Sequence, residues 1–185
     1  MTDEYPLFIP PAPLDTKTPC DFSTEEAESY FRWVLENQEA RLSQFLERFD
    51  ESLSAPAEDL LRRIGEKVAE TLKKPAFAQN TGPEPQLTSR GYALAADMGL
   101  LLAALFMREC GSSIQWTILR EPKTDVSFNC PVLKGFGKLH LDPIYLSVTQ
   151  SFGVLRGTRG GDAWLRVFKR WKKDAGEAKA ASKKR

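Results

Sequence analysis

The sequence predicts an α+β domain of about five helices, one of them central and apolar, packed with a small antiparallel sheet of two to four strands. Three observations support this fold class. Apolar residues recur with the period of a helix across residues 22–74. Residues 94–107 are apolar almost without interruption, which is typical of a helix surrounded by other elements. After residue 114 the pattern changes to the alternation of a strand.

The composition fits one cytoplasmic domain. The chain has 185 residues, of which 42% are hydrophobic and 28% are charged, as in an ordinary globular protein. Its longest apolar run is shorter than the roughly 20 residues of a membrane-spanning helix. Acidic residues and prolines near the N-terminus do not fit a secretory signal, and three widely spaced cysteines do not fit a disulfide framework. We therefore expect a cytoplasmic protein that does not associate with a membrane.

Charge is distributed unevenly along the chain, although the net charge is only +1. Residues 1–87 carry 9 Lys/Arg and 17 Asp/Glu, whereas residues 88–185 carry 17 Lys/Arg and 8 Asp/Glu. If folding does not bring these halves together, one surface will be acidic and another basic. Such surfaces favour association with a charged partner.

Residues 1–21 are a proline-rich arm, with prolines at positions 6, 10, 11, 13 and 19. This density favours an extended, polyproline-like chain over a helix or a strand. Apolar side chains such as Tyr5 and Leu14 predict that the arm lies along the surface of a domain formed by residues 22–171. The alternative is a peptide that binds a partner protein.

A long amphipathic helix follows the arm. Ser23 and Glu26 have the spacing of a capping box, and apolar residues then recur on one face as far as residue 53. The outer face is rich in glutamate, which is usual for a solvated helix. The alternative is a docking surface for a basic partner, with Glu28, Glu36 and Glu39 as candidate binding residues.

A second amphipathic helix is predicted within residues 54–74. Ser54 is its predicted cap, acidic residues occupy the first turn at the positive end of the helix dipole, and Pro75 ends it. Residues 75–87 contain further prolines and are predicted to be a loop.

The third helix is predicted from about residue 88 to Cys110, and it carries one carboxylate within its apolar segment. A buried charge without a partner costs several kcal/mol. We therefore expect Asp97 to be paired or to face a cleft, with Arg90 and Arg120 as the predicted partners. Gly111 is expected to end the helix in a left-handed conformation.

Residues 114–141 are predicted to form the short strands of the sheet. IQWTILRE alternates apolar and polar residues, and VSF, PVL and KLHL are further short extended segments. The glycines at positions 135 and 137 allow a bend, and Val132, Leu133 and Phe136 are expected in the core. Asp142 and Pro143 then have the residue types of a helix cap and a first helical position.

Two further helices complete the predicted domain, one ending at Gly157 and the other covering AWLRVFKRWKK from residue 163. Between them, RGTRGGD at residues 156–162 combines glycines with arginines, but it lacks the Walker lysine and does not follow a strand. We interpret it as a turn between helices, with anion binding by Arg156 and Arg159 as the alternative. Residues 172–185 are predicted to be a Lys-rich flexible tail.

His140 is the single histidine of the chain and the first candidate for acid–base chemistry. On a strand it would point away from Leu139 and Leu141, and no nucleophile motif accompanies it. The scattered cysteines make no metal-binding pattern, so neither a metal nor a cofactor is predicted, and no catalytic residue is assigned. The enzyme alternative is an unfamiliar site that combines Asp97, His140 and Arg159.

Several segments resemble small uncharacterised bacterial proteins. They are QW at 115–116, NCPVLKGFG, LDPI, GTR and the RW of the last helix, together with EEAESYFRWVLE near the N-terminus. Some proteins of this size and organisation are immunity proteins encoded beside toxin genes. The resemblance implies a bacterial cytosolic protein that binds a protein partner, for example a toxin, and it transfers no catalytic residue.

Three functions are therefore considered. The first is a non-enzymatic domain that sequesters a protein partner through a charged surface, as an immunity-type or regulatory protein. The second is the enzyme described above. The third is nucleic-acid binding by the basic last helix and tail, where Trp164 and Trp171 are interleaved with lysines. The charge asymmetry and the lack of a catalytic motif favour the first.

Overall fold

The computed structural model describes residues 4–79 and 82–182, with side chains as far as residue 178, and it confirms the α+β class. The described residues form five α-helices and two small antiparallel sheets. The helices are α1 (Thr24–Arg48), α2 (Ala57–Leu72), α3 (Ser89–Cys110), α4 (Pro143–Leu155) and α5 (Ala163–Ser182). The strands are β1 (Ala78–Gln79), β2 (Gln86–Leu87), β3 (Gln115–Ile118), β4 (Pro131–Phe136) and β5 (Leu139–Leu141).

The apolar helix α3 lies at the centre of the fold, as predicted. Every residue from Ala93 to Phe106 is buried except Ala104, and the helix packs against α1, α2, α4 and α5. Burying one large apolar side chain contributes about 1.5–3 kcal/mol, so a helix that is apolar on all sides needs neighbours on all sides. Gly111 ends α3 with a φ of 70°, in the left-handed region that was expected.

The helix starts show one correct and one wrong prediction. The Ser23 hydroxyl accepts a hydrogen bond from the Glu26 amide at 3.2 Å, and the Ser23 amide donates to the Glu26 carboxylate at 2.8 Å, which confirms the capping box. Ser54 does not cap α2, which begins at Ala57 after Pro56. The reason is that a residue before proline is pushed away from helical geometry, so the helix cannot start earlier.

The larger sheet has the strand order β3-β4-β5, with Trp116 opposite Leu133 and Leu133 opposite Leu141. An irregularity in β4 coincides with the predicted bend, where Gly135 has a φ of 115°. A Cβ atom at this position would lie 2.1 Å from the carbonyl oxygen of Ser113. The sheet therefore requires glycine here, both for the backbone conformation and for the close approach of the segment that contains Ser113.

Folding brings the acidic and basic halves of the chain together. Glu28 approaches Arg120 at 3.5 Å, Glu58 pairs with Lys169 at 2.9 Å, and Glu84 pairs with Arg156 at 2.5 Å. Exposed pairs of this kind contribute little to stability. Their effect is to neutralise part of the charge difference that the sequence suggested for opposite surfaces.

Both ends of the chain are more structured than the sequence predicted. The arm is not uniformly extended, because short 3-10 turns form at Leu14–Thr16 and Pro19–Asp21, and Leu14 is buried. At the other end, α5 continues to Ser182 through most of the residues predicted as a tail, and Ala175 is buried against the core. Residues 1–3 and 183–185 lie outside the described residues. In the described part of the chain no helix is long and apolar enough to cross a membrane.

Candidate functional site

Asp97 is paired, as predicted, but its partners are not the predicted ones. Its carboxylate accepts hydrogen bonds from Arg41 at 2.7 Å through both Nε and Nη2, and from the hydroxyl of Tyr5 at 2.5 Å. The prediction of Arg90 and Arg120 was wrong, because the packing of α1 against α3 brings a different arginine to this position. Burial raises the pKa of Asp97 above its ordinary value, although Arg41 and Tyr5 oppose this shift.

These three residues, Tyr5, Arg41 and Asp97, form what we call the arm clasp. Arg41 also donates to the carbonyl oxygens of Pro6 at 3.2 Å and Leu7 at 2.9 Å. A clasp that combines a buried ion pair with main-chain hydrogen bonds holds the arm against α1 and α3. We therefore assign Asp97 a structural role, because every oxygen of its carboxylate already has a donor from within the chain.

The structure does not bring the residues of the predicted enzyme site together. Asp97 lies in the arm clasp, beside a cavity of about 100 Å³. His140 is exposed on β5 and lines a different cavity of about 280 Å³. Arg159 lies after α4, where its guanidinium donates a hydrogen bond to the side chain of Gln150. The three residues therefore have different neighbours.

The loop at residues 156–162 serves the packing of helices. Arg156 is paired with Glu84 and lies 5.7 Å from the ring centre of Phe152. A Cβ atom on Gly65 of α2 would lie 2.1 Å from the carbonyl oxygen of Gly161, so the glycines let α2 and this turn approach closely. These contacts explain why residue 161 is glycine, and pairing within the chain reduces the charge that Arg156 could offer to an anion.

The acidic face of α1 keeps only part of its predicted character. Glu28 faces Arg120, whereas Glu36 and Glu39 are exposed and form no ion pair with any described residue. Basic residues of α5 also form ion pairs within the chain, since Lys169 and Lys172 pair with acidic side chains. The two tryptophans that were candidates for stacking on nucleic-acid bases already pack within the fold. Trp164 is fully buried and Trp171 packs against the ring of Phe136, so neither side chain is arranged to stack on nucleic acid.

The most distinctive surface feature is a groove of about 570 Å³ beside α4. We call it the aromatic groove. Four aromatic side chains and one carboxylate contribute to its lining. The lining residues are Thr18, Pro19, Tyr30, Tyr92, Val126, Cys130, Pro131, Asp142, Ile144, Tyr145, Val148 and Phe152.

Helix α4 forms the floor of this groove, and it buries polar side chains while several of its apolar side chains stay partly exposed. Ser147, Gln150, Ser151 and Gly153 are buried, while Tyr145 is 50% exposed and Ile144, Val148 and Phe152 are half-buried. The buried polar groups have partners inside the fold: the Ser147 hydroxyl accepts from the indole of Trp164 at 2.9 Å. A surface helix normally buries its apolar face and exposes its polar one.

The walls of the groove come from four separate parts of the chain. The arm contributes Thr18 and Pro19, α1 contributes Tyr30, and Tyr92 projects from the first turn of α3. Tyr92 is 46% exposed, and its ring meets that of Phe152 edge to face at 6.2 Å between centres. The fourth wall is the loop between β3 and β4, from which Val126 projects with 67% of its surface exposed.

This loop is held in place by its own hydrogen bonds. The main-chain amide of Asn129 donates to the carbonyl oxygen of Leu119 at 2.8 Å. The side-chain amide of Asn129 donates to the main-chain carbonyl oxygen of Phe22 at 3.0 Å. The Ser127 amide donates to the Asp125 carboxylate at 2.8 Å. Long loops with internal structure often carry binding residues. Here the bond from Asn129 to Phe22 ties the loop to the residue that directly follows the arm, whose Thr18 and Pro19 form another wall of the groove.

One end of the groove is polar. Asp142 caps α4 by accepting a hydrogen bond from the Tyr145 amide at 2.9 Å, as its position in the sequence predicted. Burial raises the pKa of Asp142 to about 6, even though hydrogen bonds from Tyr145 and Ser127 favour the charged form. Burial also raises the pKa values of the Cys130 thiol and the Tyr30 hydroxyl, and the nearby Asp142 adds to both shifts. Cys130 is therefore a protonated, unreactive thiol at neutral pH.

The sequence did not predict this groove. The apolar residues of IYLSVTQSFGVL have the spacing of a helix, and such residues normally lie in the core. Only a surplus of small and polar residues on the opposite face, at positions 147, 150, 151 and 153, could have indicated which side is buried. The chain matches no protein-family model, and comparison with curated proteins and with solved structures gives no match either.

Proposed function

We propose that this protein is a binding domain that takes an apolar segment of a partner protein in the aromatic groove. The observation that carries this proposal is the burial of α4, which leaves Tyr145, Val148 and Phe152 partly exposed while Ser147 and Ser151 are buried. Apolar side chains gathered in one exposed concave surface are typical of an interaction site. A partner that covers them would remove this surface from water.

The composition of the groove supports a protein partner. Tyrosine is enriched among the residues that dominate protein–protein binding, because it offers a large rigid surface with a polar end. Tyr92, Val126 and Tyr145 account for three of the large hydrophobic residues that the described chain exposes. From Ile144 to Phe152 the floor spans about 12 Å at 1.5 Å per residue. This length suits about two turns of a helix or a few residues of an extended chain.

The charged surface has a secondary role in this proposal. Glu36 and Glu39 are exposed and form no ion pair with a described residue, so they remain available to attract a basic partner at long range. Glu28 contributes less because Arg120 lies beside it. The immunity-type role and a toxin as partner remain predictions from the resemblance.

Replacing both Tyr92 and Tyr145 with serine is expected to weaken binding of the partner at least about tenfold, as for aromatic residues at the centre of interfaces. The partner would first be identified by placing a photoreactive amino acid at position 145 and sequencing the crosslinked protein from host cells. The purified partner would then be titrated by calorimetry against the unaltered protein and the double variant.

Ile9 provides the matched control, because it is an exposed apolar residue of the arm that does not line the groove. A photoreactive residue at position 9 should not crosslink the same partner, and Ile9→Ser should bind it with unchanged affinity. If the crosslinked protein binds the Tyr92→Ser/Tyr145→Ser variant as tightly as the unaltered protein, the proposal is wrong.

A further inference from the structure

We infer that the partner segment inserts a basic side chain, from lysine or arginine, among the aromatic rings next to Asp142 in the aromatic groove. This inference rests on the proposed function, and it adds the chemical class of the group that the groove selects. Three features of the groove carry it: its rings, the sign of its charge and a hydroxyl group without a partner.

The rings form a suitable surface for a cation. Tyr30, Tyr92, Tyr145 and Phe152 all line the groove, and they come from three different helices. The face of an aromatic ring carries partial negative charge, so ammonium and guanidinium groups bind against it, most strongly where water is partly excluded. Arg156 shows this preference at one end of the groove, where its guanidinium lies 5.7 Å from the ring centre of Phe152.

The charge in the groove has one sign. Asp142 is the charged residue among the described residues of the lining, and none of that lining is basic. Arg156 lies nearby but is already paired with Glu84 at 2.5 Å. A carboxylate close to several rings attracts a cation and repels an anion. An acidic partner segment is therefore disfavoured, and a basic one is favoured.

The polar end also contains a hydroxyl group that no part of the described chain satisfies. Tyr30 lines the groove, and its hydroxyl makes no hydrogen bond within the described residues, whereas Ser127 and Tyr145 bond to Asp142. Covering this end with a purely apolar side chain would bury the Tyr30 hydroxyl without a new partner, which is costly. An ammonium or guanidinium group would donate a hydrogen bond to the hydroxyl oxygen and would also balance the charge of Asp142, whose oxygens already accept hydrogen bonds from within the chain.

Binding of a cation at this place should depend on pH. Asp142 is mostly ionised above pH 6, where its pKa lies, and neutral below it. Bound cation favours the ionised form, so affinity should rise as pH increases through 6 and fall as pH decreases. Cys130 and Tyr30 stay protonated throughout this range because their pKa values are raised. On the other side of Asp142, the cavity of about 280 Å³ is lined by four further titratable residues, Glu121, Asp125, Lys138 and His140.

Two matched probes test the inference on the full chain. The first is a nine-residue peptide of alanine and leucine with a central lysine, compared with the same peptide carrying glutamine or glutamate at the centre. The second is benzyltrimethylammonium, a cation without a peptide chain. Binding would be measured at pH 7.5 from the NMR shifts of the amides of Tyr92, Val126 and Tyr145.

We expect the lysine peptide to bind about tenfold more tightly than the glutamine peptide, with the glutamate peptide weakest, as the strength of cation–π contacts allows. Asp142→Asn should abolish this preference while preserving the cap of α4, since asparagine caps helices as well as aspartate. It should also remove the pH dependence. Glu121→Gln and His140→Gln, which change groups on the other side of Asp142, should retain both effects.

Each outcome has a defined meaning. Equal affinity for the lysine and glutamine peptides, or a preference unchanged in Asp142→Asn, overturns the inference. An absence of shifts with the lysine peptide and with tens of millimolar benzyltrimethylammonium overturns it as well. If the cation binds as expected but the crosslinking at position 145 yields no partner whose affinity depends on the groove, the proposed function fails while the charge preference stands.

Discussion

Replacing Arg41 with methionine is expected to lower the free energy of unfolding by about 3–5 kcal/mol, the usual cost of leaving a buried charge without its partner. The Asp97 side chain is 2% exposed and that of Arg41 is 10% exposed, and two hydrogen bonds of 2.7 Å join them. Without Arg41, the carboxylate would keep only the hydroxyl of Tyr5. Urea denaturation at pH 7 would measure the loss.

The pH dependence of this variant provides a second measurement. Burial already raises the pKa of Asp97 in the folded protein, and removing Arg41 takes away the main opposing contact. The folded variant therefore takes up a proton more readily than the unfolded chain, so its deficit in stability should shrink as the pH falls from 7 towards 4.

Two further variants distinguish the buried charge from a general effect of mutation. The double variant Arg41→Met/Asp97→Leu should recover at least half of the lost stability, because it leaves no unpaired charge. Arg62→Met breaks an exposed pair with Asp59 and should change stability by less than about 0.5 kcal/mol. A loss for Arg41→Met as small as that for Arg62→Met would show that the arm clasp does not stabilise the fold.

Replacing Gly99 with alanine is expected to lower the free energy of unfolding by about 2 kcal/mol, despite a gain of about 1 kcal/mol in helix propensity. Gly99 lies where α3 crosses the start of α4. A Cβ atom there would lie 2.6 Å from the carbonyl oxygen of Pro143 and 2.8 Å from the Cα atom of Ile144. Backbone atoms cannot move aside as a side-chain end can, so α4 would have to shift.

Because Ile144 begins the floor of the aromatic groove, the same substitution should also weaken binding there. Gly176→Ala is the matched control in α5, where nothing lies within 4 Å of the added atom, and it should stabilise the protein by about 0.5–1 kcal/mol. Both variants would be compared by urea denaturation. If Gly99→Ala proved as stable as Gly176→Ala, the close approach of α3 and α4 would not restrict this position.

The local structure was largely predictable because its causes lie close together in the chain. Ser23 and Glu26 are three residues apart and cap α1, and Asp142 beside Pro143 starts α4. The apolar surface of α3 extends around the whole helix, so its central position follows from the residues of one segment. The failed cap at Ser54 also has a local cause, in the proline at position 56, that a closer inspection of the sequence could have identified.

The candidate site had no such local cause. Asp97 had to be paired, and the sequence alone indicated that much, because a buried carboxylate without a partner is unstable. Which arginine approaches it, and which side of α4 faces the core, depend on how α1, α3 and α4 cross. The tertiary structure decided both: α1 brings Arg41 to Asp97, and the packing of α4 against α3 and α5 buries its serines and leaves Tyr145 and Phe152 to line the groove.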